Sequence, residues 1–276
     1  MKKKICDIFI NKKPFSFEVE GDFFWGESEA LYKKNNSVLE NVSWENEGFS
    51  NLTVFSEKEF FDLKSSVRKT VLEGLRKAEV EVEEDLFTLE NYHVFVQDET
   101  THFNVINYTR NLTVDDLDFD IELLAKRIGK HLKCNLTTWV EELGKSHVQI
   151  RLSRPNSLDI NPPHRDGYLS FWENIINVWI PVAGCNEKSS LPVVSGSHKI
   201  AESEILRTEA KGAKINGNLY QVPCLLESKQ GPFYMERPNP KEGEALLFTP
   251  FLIHGAAVNL SNDTTRVALE FRFPKI

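Results

Sequence analysis

Apolar residues recur along this chain with two different periods, and the change from one to the other falls near residue 145. Before it, Phe60, Leu63, Val67, Val71 and Leu75 follow the three-and-four spacing of a helix buried on one face. Ser56 followed by Glu59 has the spacing of a capping box, so the pattern predicts an amphipathic helix over 57–77. A second helix is predicted from Thr113 or Val114 to about Leu132, acidic in its first turns and basic in its last. Beyond 145 the period becomes two. Val148, Ile150 and Leu152 oppose Gln149, Arg151 and Ser153; Ile176, Val178, Ile180 and Val182 oppose Ile175, Asn177 and Trp179. In the last such run, Val267, Leu269, Phe271 and Phe273 oppose Arg266, Ala268, Glu270 and Arg272. Such runs predict strands with one packed face and one wet or functional face. Short strands separated by Gly, Pro and Asn point to an all-β sandwich or barrel in the second half, with the helices as its buttress. Residues 1–50, where Phe23, Phe24, Trp25 and Trp44 are unevenly spaced, show no usable period and are expected to form an irregular arm on the main body.

Composition narrows the function. The 276 residues fit a single domain, and 41 acidic against 33 basic side chains, a net charge of −8, argue against nucleic acid as a partner. Cys6, Cys134, Cys185 and Cys224 are far apart with no CxxC pair, which suggests reduced thiols in a cytoplasmic protein. The apolar run at the start is short and cut by Asp7 and Asn11, and no window approaches eighteen apolar residues, so neither a signal peptide nor a membrane span is expected. The expected partner is a small molecule.

The chemistry concentrates in "NPPHRDGYLSFW", residues 161–172. His164 and Asp166 are two apart, so in an extended segment they share a face. The third member is His254, 88 positions beyond Asp166 (254 − 166) and directly before a glycine. Two imidazoles and a carboxylate make the facial triad that holds non-haem Fe(II) with open positions, two for a 2-oxo acid and one for O2. Arg266, twelve residues past His254, leads the final strand, where a guanidinium would grip a buried carboxylate. A His-x-Asp pair alone more often makes ordinary hydrogen bonds than a metal site. Here its conjunction with His254 and Arg266 carries the reading.

These residues resemble the phytanoyl-CoA dioxygenase-like branch of the Fe(II)/2-oxoglutarate-dependent oxygenases. The resemblance rests on "HRD" at 164–166, "LPVVSGSHK" at 191–199, "GEALLFTPFLIHG" at 243–255 and "NLSNDTTRVALEFRF" at 259–273, and runs over roughly 48–273. It implies a mainly β fold, a double-stranded β-helix (jelly roll, cupin-like) with N-terminal helices packed on one side. The whole of 1–276 would be one oxygenase domain: an arm (1–47), helical and strand support (48–144), and the jelly-roll core (145–276) with an insertion at 201–240. It also implies that His164, Asp166 and His254 ligate Fe(II), that Arg266 pairs with the C5 carboxylate of 2-oxoglutarate, and that O2 is the second co-substrate. Gln149, Arg151, Asn177 and Trp179 would line the co-substrate or substrate site. Asp166 fills the place that halogenases leave to chloride, so hydroxylation is expected instead. Two other readings stand beside this one: a jelly-roll metal- or ligand-binding module without turnover, and a cupin-like metalloenzyme that does not use 2-oxoglutarate.

Several residues have structural explanations as good as functional ones. His198 in the "GSH" turn is read as structural, and His93, His102, His131 and His147 as structural or exposed. Tyr168, Phe171 and Trp172 suit either a pocket wall or aromatic packing. For Arg266 the plain alternative is a surface salt bridge with Glu270. The segments 80–112, 153–163 and 201–240 are expected to shape the substrate pocket. The last, with Lys211, Lys214, Tyr220, Tyr234, Glu236 and Arg237, leans toward a polar, carbohydrate-type substrate.

Overall fold

The computed structural model describes residues 2–27, 37–40, 42–157, 161–209, 213–215, 218–220 and 222–276. The first strands are β1 (Lys2–Ile10), β2 (Lys13–Gly21), β3 (Phe23–Trp25), β4 (Phe49–Thr53), β5 (Trp139–Val140), β6 (Lys145–Ser153) and β7 (Ile175–Ala183). The others are β8 (Ile205–Thr208), β9 (Ala213–Ile215), β10 (Asn218–Tyr220), β11 (Leu225–Ser228), β12 (Gly231–Met235), β13 (Glu244–Phe248) and β14 (Arg266–Pro274). Four α-helices accompany them among the described residues: α1 (Glu57–Lys77), α2 (Tyr92–Phe95), α3 (Glu99–Thr109) and α4 (Ile121–Leu132).

A six-stranded antiparallel sheet runs in the order β4-β13-β7-β14-β6-β5. The predicted alternation decides its two faces. Val148, Ile150, Leu152, Ile176, Val178, Ile180, Val267, Leu269 and Phe271 join one core cluster with Phe60, Leu63, Val67 and Val71 of α1 and Leu124 and Ile128 of α4. The helices thus buttress the outer face, as expected. On the opposite face Trp179, Leu246, Phe248 and Ala268 pack with Leu191, Val193 and Leu252 inside the jelly roll. Covered on both sides, all nine residues of β7 are buried.

The second sheet has the order β10-β9-β2-β1-β12-β11-β8-β3. Near the chain's chemistry the jelly roll closes through single bridges, His164 to His254, His254 to Val193, and Val193 to Glu236. The fold is the expected cupin-like double-stranded β-helix.

Three local expectations are corrected. Residues 2–21 are a regular hairpin rather than an irregular arm, paired from Lys2↔Gly21 to Ile10↔Lys13. Asn11 and Lys12 turn it with φ of 48° and 66°, the left-handed pair that matches strand twist. β1 then joins β12 in parallel, Ile8 opposite Phe233, and Cys6, Ile8, Ile10, Phe17 and Val19 enter a core with Phe233 and Met235. The alternation of Cys6, Ile8 and Ile10 was present but blurred by the apolar Ile5 and Phe9 on the opposite face, and its buried face needed a distant strand to cover it. The predicted helix from Thr113 to Leu132 is two elements. A short turn, Val114–Asp116, ends at Leu117 in extended backbone, and Asp120 starts α4 by accepting from Leu123 N at 2.8 Å. Aspartates that look helical by charge here act as caps. Finally, α3 was not predicted; Asp98 caps it through Thr101 N at 2.8 Å.

α1 spans the predicted residues and carries the predicted capping box between Ser56 and Glu59. No helix among the described residues is long and apolar enough to cross a membrane.

Candidate metal centre and its chamber

His164 and His254 are brought face to face by the antiparallel bridge between their segments, with hydrogen bonds of 2.9 and 3.1 Å in the two directions. Gly255 makes this approach possible. Its φ is +115°, and a Cβ there would lie 2.4 Å from the Pro162 carbonyl oxygen and 3.0 Å from His164 Nδ1. Asp166 enters from the turn Asp166–Tyr168. Its two oxygens lie 3.8 Å from His164 Nε2 and 3.7 Å from His254 Nε2, and the three possible ligand atoms all lie within 4.8 Å of one another. All three residues are buried.

The outward nitrogens define the tautomers. His164 Nδ1 donates to the Pro162 carbonyl at 2.7 Å, and His254 Nδ1 to the Leu252 carbonyl at 3.0 Å. Each imidazole therefore turns an Nε2 lone pair inward, the arrangement of a metal ligand oriented by its backbone partner. Burial and the neighbouring His254 push His164 down to about 3, so it is neutral at physiological pH. For Asp166 burial alone would raise the pKa, but Arg272, His254 and His164 together hold it below the usual carboxylate range. Two imidazole nitrogens and one carboxylate oxygen match the donor set of a divalent first-row metal.

The triad opens into a chamber of about 60 Å³. Gln149, Arg151, Asn177, Trp179, Arg266, Glu270 and Arg272 occupy the inner face of β6, β7 and β14, as their alternation requires, and all but Gln149 line the chamber. Asn177 Nδ2 and Trp179 Nε1 in the chamber wall are buried without a hydrogen-bond partner, a state that a polar ligand would relieve; Gln149 Oε1 is likewise unpaired but lies off the chamber. Arg266 is 4% exposed and not on the surface; its Nη2 donates to the Ala257 carbonyl at 3.3 Å. Glu270 pairs instead with Arg151 Nε at 2.8 Å. Burial would raise the Glu270 pKa, but Arg151 and Arg272 lower it.

Of the three segments expected to shape the pocket, 80–112 contributes Ile106 and Arg110, and 153–163 contributes Asn161. The described residues of 201–240 contribute none; they build β8 to β12 on the far sheet. Arg237 there is buried and donates to the Val258 carbonyl at 2.7 Å, whereas Tyr234 faces solvent. Lys211 lies outside the described residues.

Sequence reasoning missed two residues beside the triad. Arg272 Nη2 lies 2.9 Å from Asp166 Oδ1, and His147 Nε2 lies 2.6 Å from Arg272 Nη1. The signal for Arg272 was available: it shares the inner face of β14 with Arg266. Trp172 packs beneath that guanidinium, 4.8 Å from ring centre to carbon. Tyr168 belongs elsewhere, donating to Glu202 at 2.9 Å in a buried group with Arg207 and Arg165. Arg165, between two triad residues, points away from them and anchors the segment to the Ser197 and Ile200 carbonyls at 2.6 and 3.0 Å. The remaining histidines are structural or exposed as expected: His198 bonds the Glu45 carbonyl at 2.9 Å, His102 bonds Tyr92, His93 bonds Thr265, and His131 is exposed.

Residues 53–268 match the family described as phytanoyl-CoA dioxygenase (PhyH). No curated protein matches the chain. Among solved structures, EctD from S. alaskensis with 2-oxoglutarate and 5-hydroxyectoine is 12% identical with a TM-score of 0.49, over 92% of this chain and 83% of that one. AviO1 from Streptomyces viridochromogenes is 16% identical with a TM-score of 0.45, over 88% and 96%. The non-heme alpha ketoglutarate dependent epimerase SnoN from nogalamycin biosynthesis is 12% identical with a TM-score of 0.43, over 87% and 83%.

Proposed function

The chain belongs to the phytanoyl-CoA dioxygenase family of Fe(II)/2-oxoglutarate-dependent oxygenases, and on that premise we propose that it hydroxylates a small or medium polar metabolite. The observation that carries the reading is the pair of inward Nε2 lone pairs facing the Asp166 carboxylate at the end of a chamber that also holds Arg266. His164, Asp166 and His254 are assigned as the iron ligands, and Arg266 as the partner of the distal carboxylate of 2-oxoglutarate. Bound iron with 2-oxoglutarate and O2 supplies the oxidising chemistry, with succinate and CO2 as by-products.

The chain's own residues supply placement. The carbonyls of Pro162 and Leu252 hold both imidazoles in the ligating tautomer before any metal arrives. Arg266, fixed in charge and buried, offers a fork to a carboxylate. Asn177 and Trp179 present unsatisfied polar atoms to the same chamber. Leu191 and Phe248 form an apolar wall that keeps water away from the reacting atoms. The Arg151–Glu270 pair and Asn161 face the same space, which supports a substrate rich in hydrogen-bonding groups, such as a carbohydrate.

The test is an anaerobic titration of Fe(II) and 2-oxoglutarate into the purified protein, followed by the visible charge-transfer band of a ferrous 2-oxo-acid chelate. The band is expected in the wild type, absent in His254→Ala and weakened in Arg266→Ala. Iron binding without the band would return the cupin-like reading to the front. Succinate formation over a panel of polar metabolites then identifies the substrate.

A further inference from the structure

The inner face of β14 carries Arg266 near one end and Arg272 near the other, and only the first has a role in holding the co-substrate. Arg272 is fixed on several sides. Nη2 donates to Asp166 Oδ1 at 2.9 Å, while Nε meets Oδ2 at the longer 3.4 Å. Nη1 donates to His147 Nε2 at 2.6 Å, and the guanidinium carbon lies 4.8 Å from the Trp172 ring centre. A guanidinium only donates, so His147 offers its Nε2 lone pair and keeps its proton on Nδ1. His147 stands edge-on to Trp172, with ring centres 5.2 Å apart. Backbone pairing of Arg272 with His147 on β6 and Asn177 on β7 sets the origin of the side chain as well.

We propose that Arg272 is a positioning residue that commits Oδ1 of Asp166 to itself and leaves Oδ2 as the carboxylate's metal-binding atom. The inference rests on the iron and 2-oxoglutarate reading above. A carboxylate that turns freely can give both oxygens to a cation, and each takes a coordination position. With two imidazoles already present, that second oxygen would compete with a 2-oxo acid that needs two positions and with O2, which needs one. The charge-assisted bond at 2.9 Å opposes this rotation, and His147 and Trp172 keep the guanidinium from following it. Trp172 lies in the turn Ser170–Trp172 just after the ligand segment, so the same contacts lock that segment to the core strand. The fork is what matters: a lysine would keep the charge but could not bond Asp166 Oδ1 and His147 Nε2 through two nitrogens of one rigid plane.

The test uses the full chain as wild type, Arg272→Gln and Arg272→Lys. Anaerobic protein is loaded with Co(II) and its ligand-field spectrum recorded; 2-oxoglutarate is then titrated into the Fe(II)-loaded protein by its visible band. Both variants are expected to take up metal, to show an altered Co(II) spectrum, and to bind 2-oxoglutarate about tenfold more weakly or worse. Wild-type affinity and spectrum in Arg272→Lys would overturn the proposal, because charge alone would then suffice, as would wild-type behaviour in both variants. Should Arg272→Gln fold poorly in its metal-free melt, His147→Leu is read in its place. That variant removes the Nη1 acceptor and exchanges the edge-on contact with Trp172 for an aliphatic one, and is expected to give a smaller loss of affinity with the same spectral change; no change at all overturns the proposal. A wild type that binds no metal would sink the iron reading itself, whereas metal binding with unchanged variants sinks this inference alone.

Discussion

At the scale of single residues, Gly255 and the buried histidines make the sharpest predictions. Gly255→Ala places a Cβ 2.4 Å from the Pro162 carbonyl oxygen in a backbone region that suits glycine, at a cost of about 1–3 kcal/mol. Because the same carbonyl orients His164, metal binding should weaken by more than the melting shift alone implies; a melt of the metal-free protein beside a metal titration checks it. His198 contributes to acid stability. Burial, partly offset by the bond to the Glu45 carbonyl, lowers His198 from 6.5 to about 4. Its unfolded form therefore takes up protons first, so its contribution is complete above about pH 6.5 and is lost as pH falls toward 4. Denaturant midpoints of the metal-free protein should decline across that window, and His198→Gln should flatten part of the decline. A midpoint independent of pH there would refute the assignment.

Between residue and element, the capping box of α1 is the clearest local code. Ser56 Oγ accepts from Glu59 N at 3.4 Å, and Glu59 Oε2 in turn accepts from Ser56 N at 2.9 Å. Ser56→Ala should cost about 1 kcal/mol, seen as a lower melting temperature, while 2-oxoglutarate affinity stays unchanged because α1 lies behind the sheet. The helix was legible because its cap, period and buried face are all local: Phe60, Leu63, Val67, Val71 and Leu75 are buried as predicted. The break before α4 was not, since Asp115, Asp116, Asp118 and Asp120 satisfy the helix-start pattern equally, and which of them caps depends on where the chain must turn. Strands β6, β7 and β14 were legible for a similar reason. A period of two sorts side chains to faces, and here each face meets a different environment.

For the whole molecule, the hairpin at the start is the part whose role the pattern understated. Ile8 is 1% exposed and packs in the core of the second sheet. If the hairpin unfolds together with the rest as one domain, Ile8→Ala should lower the single unfolding transition by about 2–5 kcal/mol, the range of a core truncation. Leu269→Ala, in the core beneath the helices, should fall in the same range. A main transition untouched by Ile8→Ala would show an independently melting arm instead.

Taken alone, the sequence determined the elements whose two faces differ and the set of groups able to hold a metal, because periods of 2 and 3.6 and the spacing of His164 and Asp166 are short-range properties. It also placed Arg266 on an inner face. The tertiary structure decided which distant groups meet: His164 with His254 across the bridge, Arg272 with Asp166 across 106 positions, and β1 with β12 in parallel. It decided the tautomers too, since the carbonyls of Pro162 and Leu252 act only once the chain is folded around them. The physical reason is the same in each case. A side chain's face is set by its neighbours in sequence, but its partner is set by the closure of sheets whose pairing no local pattern encodes.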